Sequence, residues 1–149
     1  MVTGSPGEAT WSDEMSIIET LEEQCMQTPL WFPLPFGRQL EAIRLTPDQR
    51  TCELVFCDSV FSITDGMQHC CEHRYMVCDD ALADFAGSTL EGIGLVEVPA
   101  YHKGEMTHET QFLRLITTYG IATISNHNEH NGQYSGFLLM CSNRITMGE

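Results

Sequence analysis

Over most of this chain, hydrophobic and polar positions alternate with the two-residue period of β-strands. Residues 39–46 alternate in this way, and residues 52–56 resume the pattern after a Pro-Asp turn signal. Residues 60–63 form another apolar run, which an Asp-Gly pair then breaks. The first half of the chain therefore predicts a meander of antiparallel strands.

Further strands are predicted in the second half of the chain, over residues 89–98, 111–118, 120–124 and 134–141. Gly92 and Gly94 lie inside the first of these, and glycine within a strand indicates a bulge or a bend. Residues 99–108 follow it and are rich in polar residues, His and Gly. We expect this segment to form a mobile flap.

Helical patterns occupy a smaller part of the chain. Ser12 is a suitable N-cap, and apolar residues follow it at helical spacing until Pro29. A second, short helix is predicted over residues 81–85, and Gly87 ends it. With the strands, these helices predict an α+β fold, an antiparallel β-sheet domain of about seven strands with an N-terminal helix and one short central helix.

The chain divides into an N-terminal region and a β domain. Residues 1–36 contain the tail, the helix and a connector of Pro and aromatic residues, and residues 37–149 form the antiparallel β domain. The aromatic side chains of the connector are expected to pack against the sheet or a subunit interface, because water is unfavourable for so many of them. Exposed edges of an antiparallel sheet favour a homo-oligomer.

The charge balance narrows the choice of partners. The chain has 7 Lys and Arg against 21 Asp and Glu, a formal net charge of −14. Nucleic acids and anionic membranes need clustered cations, so this composition argues against both. A single nucleotide is compatible, because a local arginine and backbone N–H groups can hold a pyrophosphate. No apolar run approaches ~18 residues and no signal-peptide pattern is present, so we expect a cytoplasmic protein.

The 7 cysteines are an odd number and lack the spacing of a disulfide framework. In a protein without a signal peptide, they are predicted to be reduced and mostly buried. Cys52, Cys57 and Cys141 lie in apolar runs and are expected to act as small hydrophobic residues.

Metal-binding and nucleophilic residue types occur around Cys70 and Cys71. With His73, His127 and His130 they make up a candidate zinc set. Adjacent cysteines project in opposite directions on an extended chain, and structural zinc sites favour a CxxC spacing, so we expect no metal and no other cofactor. A thiolate nucleophile at Cys70 or Cys71, paired with a histidine, is the enzymatic alternative, although no known nucleophile motif surrounds either residue.

Residues 124–136 concentrate Asn, His and hydroxyl side chains between two predicted strands. Amide, imidazole and hydroxyl groups can hydrogen-bond the polar edges of a small ligand. The alternative is a solvated loop in which Asn131-Gly132 forms a hairpin turn. The residues alone leave both interpretations open.

Among the cations, Arg74 and Arg114 are the candidates for binding an anion. Arg114 lies in mid-strand between Leu113 and Leu115, so it points away from the apolar face. Its planar guanidinium suits a phosphate or a carboxylate. The alternative is a solvent-facing arginine that pairs with one of the many carboxylates.

Several motifs follow one another in a characteristic order. The first is a CCE-x-x-Y motif (Cys70, Cys71, Glu72, Tyr75), followed by a short acidic helix ending in Gly87 and a strand–Gly–strand hairpin. The last is an N-G-x-Y-S motif (Asn131, Gly132, Tyr134, Ser135). This order resembles a family of small phage and prophage proteins that includes the Thoeris anti-defence sponge. The similarity covers residues 37–141.

The resemblance implies a phage anti-defence sponge that binds and sequesters a cyclic nucleotide immune signal in the cytoplasm of the host bacterial cell, without cleaving it. The ligand would be cyclic ADP-ribose-like or a cyclic oligonucleotide, and the protein a homo-oligomer, dimer or hexamer. Where the family has Thr-Ile-Arg-aromatic, this chain has Thr123-Ile124-Ser125-Asn126, so the arginine that the resemblance implies for phosphate binding is absent.

A sponge of this kind needs aromatic faces for the base, amides for its edges and a cation for the phosphate. The expected ligand-binding residues are Arg74, Tyr75, Tyr101, Phe112, Arg114, Asn126, His127, Asn128, Asn131, Tyr134 and Ser135. Two alternatives are a small Cys/His-dependent hydrolase or lyase, and an acidic phage protein that binds and inhibits a host protein.

Overall fold

The computed structural model of the protein describes residues 34–66, 72–133 and 135–146. Its regular structure is almost entirely β. The strands are β1 (Arg38–Gln39), β2 (Ala42–Leu45), β3 (Thr51–Val55), β4 (Ser59–Asp65), β5 (His73–Val77), β6 (Thr89–Glu97), β7 (Tyr101–Lys103), β8 (Met106–Thr117), β9 (Gly120–His130) and β10 (Leu139–Ile145). A 3-10 turn, Leu82–Phe85, lies between β5 and β6.

The strands form two antiparallel sheets. The larger sheet has six strands in the order β1-β6-β8-β9-β5, with β7 also paired to β8. The smaller sheet has four strands in the order β10-β4-β3-β2. The long β8–β9 hairpin is the centre of the larger sheet and pairs without interruption from Thr107–His130 to Thr117–Gly120. The register of β6 on β8 shifts between Leu90 and Gly92, which confirms that the strand is irregular where a bulge or a bend was predicted.

One hydrophobic core lies between the two sheets. Both sheets contribute side chains that are at most 1% exposed, among them Leu54, Phe61, Ile63, Ile93 and Leu115. Leu34 and Phe36 at the start of the described chain pack against this core. Burying one such side chain is worth about 1.5–3 kcal/mol, so a one-residue slip of any strand would be costly.

The predicted α+β fold is wrong. The described residues contain ten strands in two sheets and no α-helix, instead of about seven strands and a central helix. The predicted helix over residues 81–85 is a 3-10 turn without a side-chain cap, because so short a segment cannot repay the cost of nucleating an α-helix. The predicted N-terminal helix lies outside the described residues. Within residues 34–66, 72–133 and 135–146, no helix is long and apolar enough to cross a membrane.

Two connections also differ from the sequence prediction. The predicted flap is a hairpin in which Lys103 pairs with Met106 across a turn with Gly104 at a φ of +63°. Glycine at this position is typical of a type II′ turn. The last strand begins at Leu139 and pairs with β4 of the smaller sheet, so the Asn131-Gly132 pair does not join neighbouring strands.

The cysteines are not all reduced. Cys141 takes part in a disulfide, which corrects the prediction of a free thiol at this position. Cys52, Cys57 and Cys78 carry free thiols, and Cys52 is the buried one. Cys52 thus behaves as the small hydrophobic residue that its apolar run predicts, whereas Cys57 is exposed.

Candidate functional site

Most of the polar side chains of interest lie on β9, which runs between β8 and β5. Successive residues of a strand point to opposite faces of the sheet. On the inner face, toward the core, lie Asn126, Asn128 and His130, each at most 2% exposed. On the outer face, away from the core, lie the half-buried Ser125, His127 and Glu129. The polar stretch is therefore divided between two separate sites.

The inner face contains a buried ion cluster of Arg74, Asp65 and Glu72. Arg74 Nη1 donates to Asp65 Oδ2 over 2.7 Å and to the Gly136 carbonyl over 2.8 Å. Arg74 Nε and Nη2 lie 2.9 Å from the two carboxylate oxygens of Glu72. Because Arg74 belongs to β5 and Asp65 to β4, this ion cluster joins the larger sheet to the smaller one.

The charge on Arg74 is well compensated. Burial disfavours the guanidinium, but hydrogen bonds to Glu72 and Asp65 outweigh the desolvation and raise the pKa of Arg74 above its ordinary value. Arg74 was predicted to hold a ligand phosphate. In the structure its guanidinium contacts carboxylates and a backbone carbonyl in the interior. These contacts connect the two sheets, which is a structural role.

A second polar group follows along the inner face. Asn128 Nδ2 donates to Glu109 Oε1 over 2.9 Å, and His130 Nε2 lies 3.2 Å from the same oxygen. The backbone N–H of Gly136 also donates to this carboxylate, over 2.8 Å. Glu109 thereby holds the chain that leaves β9 against the end of the larger sheet.

Asn126 differs from its neighbours on the inner face. It is 2% exposed, and neither Oδ1 nor Nδ2 has a hydrogen-bond partner among the described residues. Strand register places Gln111 and Met76 beside it. A buried amide without partners costs about 1–3 kcal/mol, so the fold loses stability at this position.

The outer face carries a group of interacting side chains, Ser125, His127, Glu129, Tyr75 and His108, which we call the outer-face cluster. The His127 ring stacks on Tyr75 with centroids 4.8 Å apart and planes 15° apart. His127 Nδ1 lies 2.8 Å from His108 Nε2, and His127 Nε2 lies 2.9 Å from Ser125 Oγ. The Tyr75 hydroxyl donates to the Glu129 carboxylate. These contacts hold the rings in one arrangement.

Two groups of the outer-face cluster have displaced pKa values. Burial, and then the neighbouring His108, lower the pKa of His127 below its ordinary value, although Glu129 acts in the opposite direction. Burial, and then the hydrogen bond to Glu129, raise the pKa of Tyr75 to about 12. Both rings are therefore uncharged near neutral pH.

His108→Gln is expected to raise the pKa of His127, because it removes the neighbouring imidazole. The measurement is an NMR titration of the His127 ring protons in both proteins. In the wild-type protein the His127 ring binds a proton more readily in the unfolded chain than in the folded one. The free energy of unfolding should therefore decrease as pH falls through 6.5. The decrease should be smaller in His108→Gln. An unchanged or lower His127 pKa in the variant would contradict this coupling.

An open groove of about 210 Å³ lies beside the outer-face cluster. It is lined by Tyr101, Lys103, Met106, Thr107, His108 and Glu129. Tyr101 and Met106 are 64% and 51% exposed, so the β7–β8 hairpin presents an aromatic ring and a thioether to solvent. His108 and Glu129 belong to both the groove and the cluster, which makes the two parts one continuous surface.

Five of the predicted ligand-binding residues share the outer-face side of the sheet. Tyr75 and His127 belong to the outer-face cluster, and Tyr101 lines the groove. Phe112 and Arg114 follow on the same face farther along β8 and are half-buried. The expectation that Arg114 points away from its two leucine neighbours is confirmed, since both leucines are buried.

The other predicted residues lie elsewhere. The inner face holds Arg74, Asn126 and Asn128. Asn131 and Ser135 are exposed in the chain that follows β9, and Tyr134 lies outside the described residues. The predicted set therefore does not form a single pocket, because the sheet itself separates its members.

The candidate metal set is not brought together either. His127 and His130 lie on opposite faces of β9, and His73 is exposed on β5. Among the residues whose structure is described, no group of at least three His, Cys, Asp or Glu side chains is placed to hold a metal ion. Cys70 and Cys71 lie outside the described residues, so a thiol nucleophile there stays a prediction.

Sequence reasoning missed His108, Lys103 and Glu129 as parts of the outer surface. His108 and Lys103 fell in the segment predicted to be a flap, and Glu129 lay among the asparagines and histidines. The available signal was the two-residue period of β9, which continues through residues 125–130 and separates Ser125 and His127 from their asparagine neighbours.

Comparison of the chain with protein-family models, with curated proteins and with solved structures finds no match. The family resemblance therefore stays a prediction, and the function is argued from the geometry of the site.

Proposed function

We propose that this protein captures a small cyclic nucleotide, without cleaving it, in the groove beside the outer-face cluster. The observation that carries the proposal is an open groove in which the 64% exposed ring of Tyr101 lies together with Lys103 and His108. An exposed aromatic ring offers its face to a nucleobase, and stacking of a base on an aromatic side chain is worth about 1–3 kcal/mol.

The polar groups of the groove match the other parts of a nucleotide. Lys103 supplies a positive charge for a phosphate, and His108 supplies an imidazole nitrogen. The Glu129 carboxylate accepts hydrogen bonds from ribose hydroxyls or a base amino group. Because the chain has a formal net charge of −14, attraction of an anionic ligand has to come from such local groups.

The ligand class in this proposal follows from the resemblance. A cyclic ADP-ribose-like molecule is the first candidate and a cyclic oligonucleotide is the second. Capture of such a molecule by a homo-oligomer would remove an immune signal from the host bacterial cell, which is the role of a phage anti-defence sponge. In the proposed site Lys103 takes the place of the arginine that Ser125 replaces.

Tyr101→Ala is expected to lower the affinity for a cyclic ADP-ribose isomer by roughly 5–150-fold, because it removes the exposed aromatic ring of the groove. Isothermal titration calorimetry measures the change. Tyr119→Ala is the matched control, since Tyr119 is 61% exposed in the β8–β9 turn, away from the groove. Equal affinities of both variants and the wild-type protein would show that the groove is not the binding site.

The fate of the ligand separates the proposal from its alternatives. After incubation and boiling, a sponge returns intact nucleotide, whereas a hydrolase or lyase returns product. An acidic inhibitor of a host protein would instead show no nucleotide binding and a salt-sensitive capture of that protein.

A further inference from the structure

Ser125 is a part of the outer-face cluster that nucleotide capture does not use. Its Oγ lies 2.9 Å from His127 Nε2, and Nδ1 of the same ring lies 2.8 Å from His108 Nε2. A hydroxyl, an imidazole that can take its proton and a third group that orients the imidazole are the parts of an activated serine. These three side chains come from neighbouring strands, so the sheet holds them in register.

We propose that Ser125, His127 and His108 form a nucleophilic relay that takes acyl groups from activated carboxylic esters and passes them to water. Cleavage of carboxylic esters goes beyond the capture of an unchanged nucleotide and does not depend on it.

The relay depends on the direction of the hydrogen bonds that the two histidines make. When His127 Nδ1–H donates to His108 Nε2, the lone pair on His127 Nε2 is left to accept the Ser125 O–H. In the reverse tautomer the Ser125 hydroxyl would have to donate to the Val77 carbonyl, which is 3.3 Å away. The relay uses the first arrangement, in which the Ser125 O–H donates to His127 Nε2 over 2.9 Å.

The base in this relay is available near neutral pH. The titratable groups that face His127 are His108 on β8, Tyr75 on β5 and Glu129 on its own strand. Burial and His108 lower the pKa of His127, which keeps its ring neutral and able to accept a proton. Tyr75 stacks on the same ring and restricts its rotation.

The surroundings of Ser125 suit a short acyl group. Strand register places Val77 on one side of Ser125 and Phe112 on the other, both on the outer face and both half-buried. An aliphatic and an aromatic side chain next to the hydroxyl provide an apolar surface for the acyl chain.

The reaction proceeds in two halves. Ser125 Oγ attacks the ester carbonyl carbon while its proton passes to His127 Nε2, and the C–O bond to the leaving alcohol then breaks as that alcohol takes the proton. Water attacks the acyl-serine in the same way, giving its proton to His127. Release of the carboxylic acid returns that proton to Ser125 Oγ.

The sheet limits the range of esters. β9 is paired with β8 and β5, so its backbone N–H groups are used in the sheet and do not form an oxyanion hole at Ser125. One such donor contributes about 10²–10³ to kcat. We therefore expect reaction with esters that have a good leaving group and none with peptide bonds.

The test treats the full-length protein with p-nitrophenyl acetate and with a fluorophosphonate probe, and locates the adducts by peptide mass spectrometry. We expect an adduct at Ser125 whose rate of formation increases with pH as His127 loses its proton. His127→Gln should lower this rate by roughly 100-fold or more. His108 is a positioning residue, and His108→Gln should lower the rate by about 10-fold or more and displace the pH profile. Ser62→Ala, at a half-buried serine of β4, is the control that leaves the rate unchanged.

A wild-type protein without an adduct at Ser125 overturns the proposal, and this result does not depend on the folding of any variant. Adducts at Lys103 alone, or equal rates in the wild-type protein and a folded His127→Gln, also overturn it. Circular dichroism establishes that each variant is folded. The nucleotide affinity of Ser125→Ala, measured in parallel, distinguishes failure of the relay from failure of nucleotide capture.

Discussion

Arg74→Ala is expected to lower the free energy of unfolding by about 3–5 kcal/mol, the cost of leaving buried charges without their partner. In the folded protein the Arg74 side chain has 0% exposure, and the side chains of Asp65 and Glu72 have 2% and 0%. Both carboxylates would stay in the interior after the guanidinium is removed. The loss should also weaken the contact between the sheets, because Asp65 and Arg74 belong to different ones.

Urea unfolding at neutral pH measures this effect. Arg44→Ala is the matched control, because Arg44 Nε lies 2.6 Å from Glu53 Oε1 in a pair whose arginine side chain is 53% exposed. An exposed pair of this kind contributes about 0–1 kcal/mol. Both variants remove an arginine–carboxylate ion pair, which is buried at Arg74 and exposed at Arg44. Equal losses in both would show that burial is not the reason for the effect of Arg74.

Asn126→Leu is expected to have the opposite sign and to raise the free energy of unfolding by about 1–3 kcal/mol. Asn126 is buried, and neither polar atom of its amide has a hydrogen-bond partner among the described residues. A leucine of similar size removes the desolvated amide and adds apolar contacts on the inner face. The substitution therefore removes the desolvation cost of the amide without removing a hydrogen bond.

Asn128→Leu is the control for this prediction, two positions along the same face of β9. Asn128 Nδ2 donates to Glu109 Oε1 over 2.9 Å, so its replacement should lower the free energy of unfolding by about 1–3 kcal/mol. Thermal and urea unfolding measure whether the free energy of unfolding rises or falls in each variant. A loss of stability in Asn126→Leu would mean that a bound water or ligand satisfies this amide.

The local part of the fold follows from the pattern of residues. The alternation over residues 89–98 predicts β6, and the two glycines inside it predict a bulge or a bend where the register shifts. Arg114 points to the outer face because it lies between two leucines that the core requires. These features depend on a few adjacent residues, and the two-residue period of a strand is a property of the backbone.

The candidate site could be predicted only in part. Tyr75, Tyr101 and His127 share one face of the larger sheet, whereas the asparagines predicted with them lie elsewhere, because residues 125–130 continue the strand. Extending the alternation of β9 by a few residues would have separated Asn126 from His127. Neighbouring residues of a strand lie on opposite faces of the sheet whatever the distant parts of the chain contact.

Local sequence specifies which residues extend as strands and which side chains share a face, because steric limits on the backbone act between neighbours. It does not specify which strands become neighbours. Leu139 lies beside Asp65, and Arg74 reaches the Gly136 carbonyl, through contacts between residues far apart in the chain. The division into two sheets, the buried ion cluster and the meeting of Ser125, His127 and His108 are decided at that level, since each depends on how all the apolar faces are buried together.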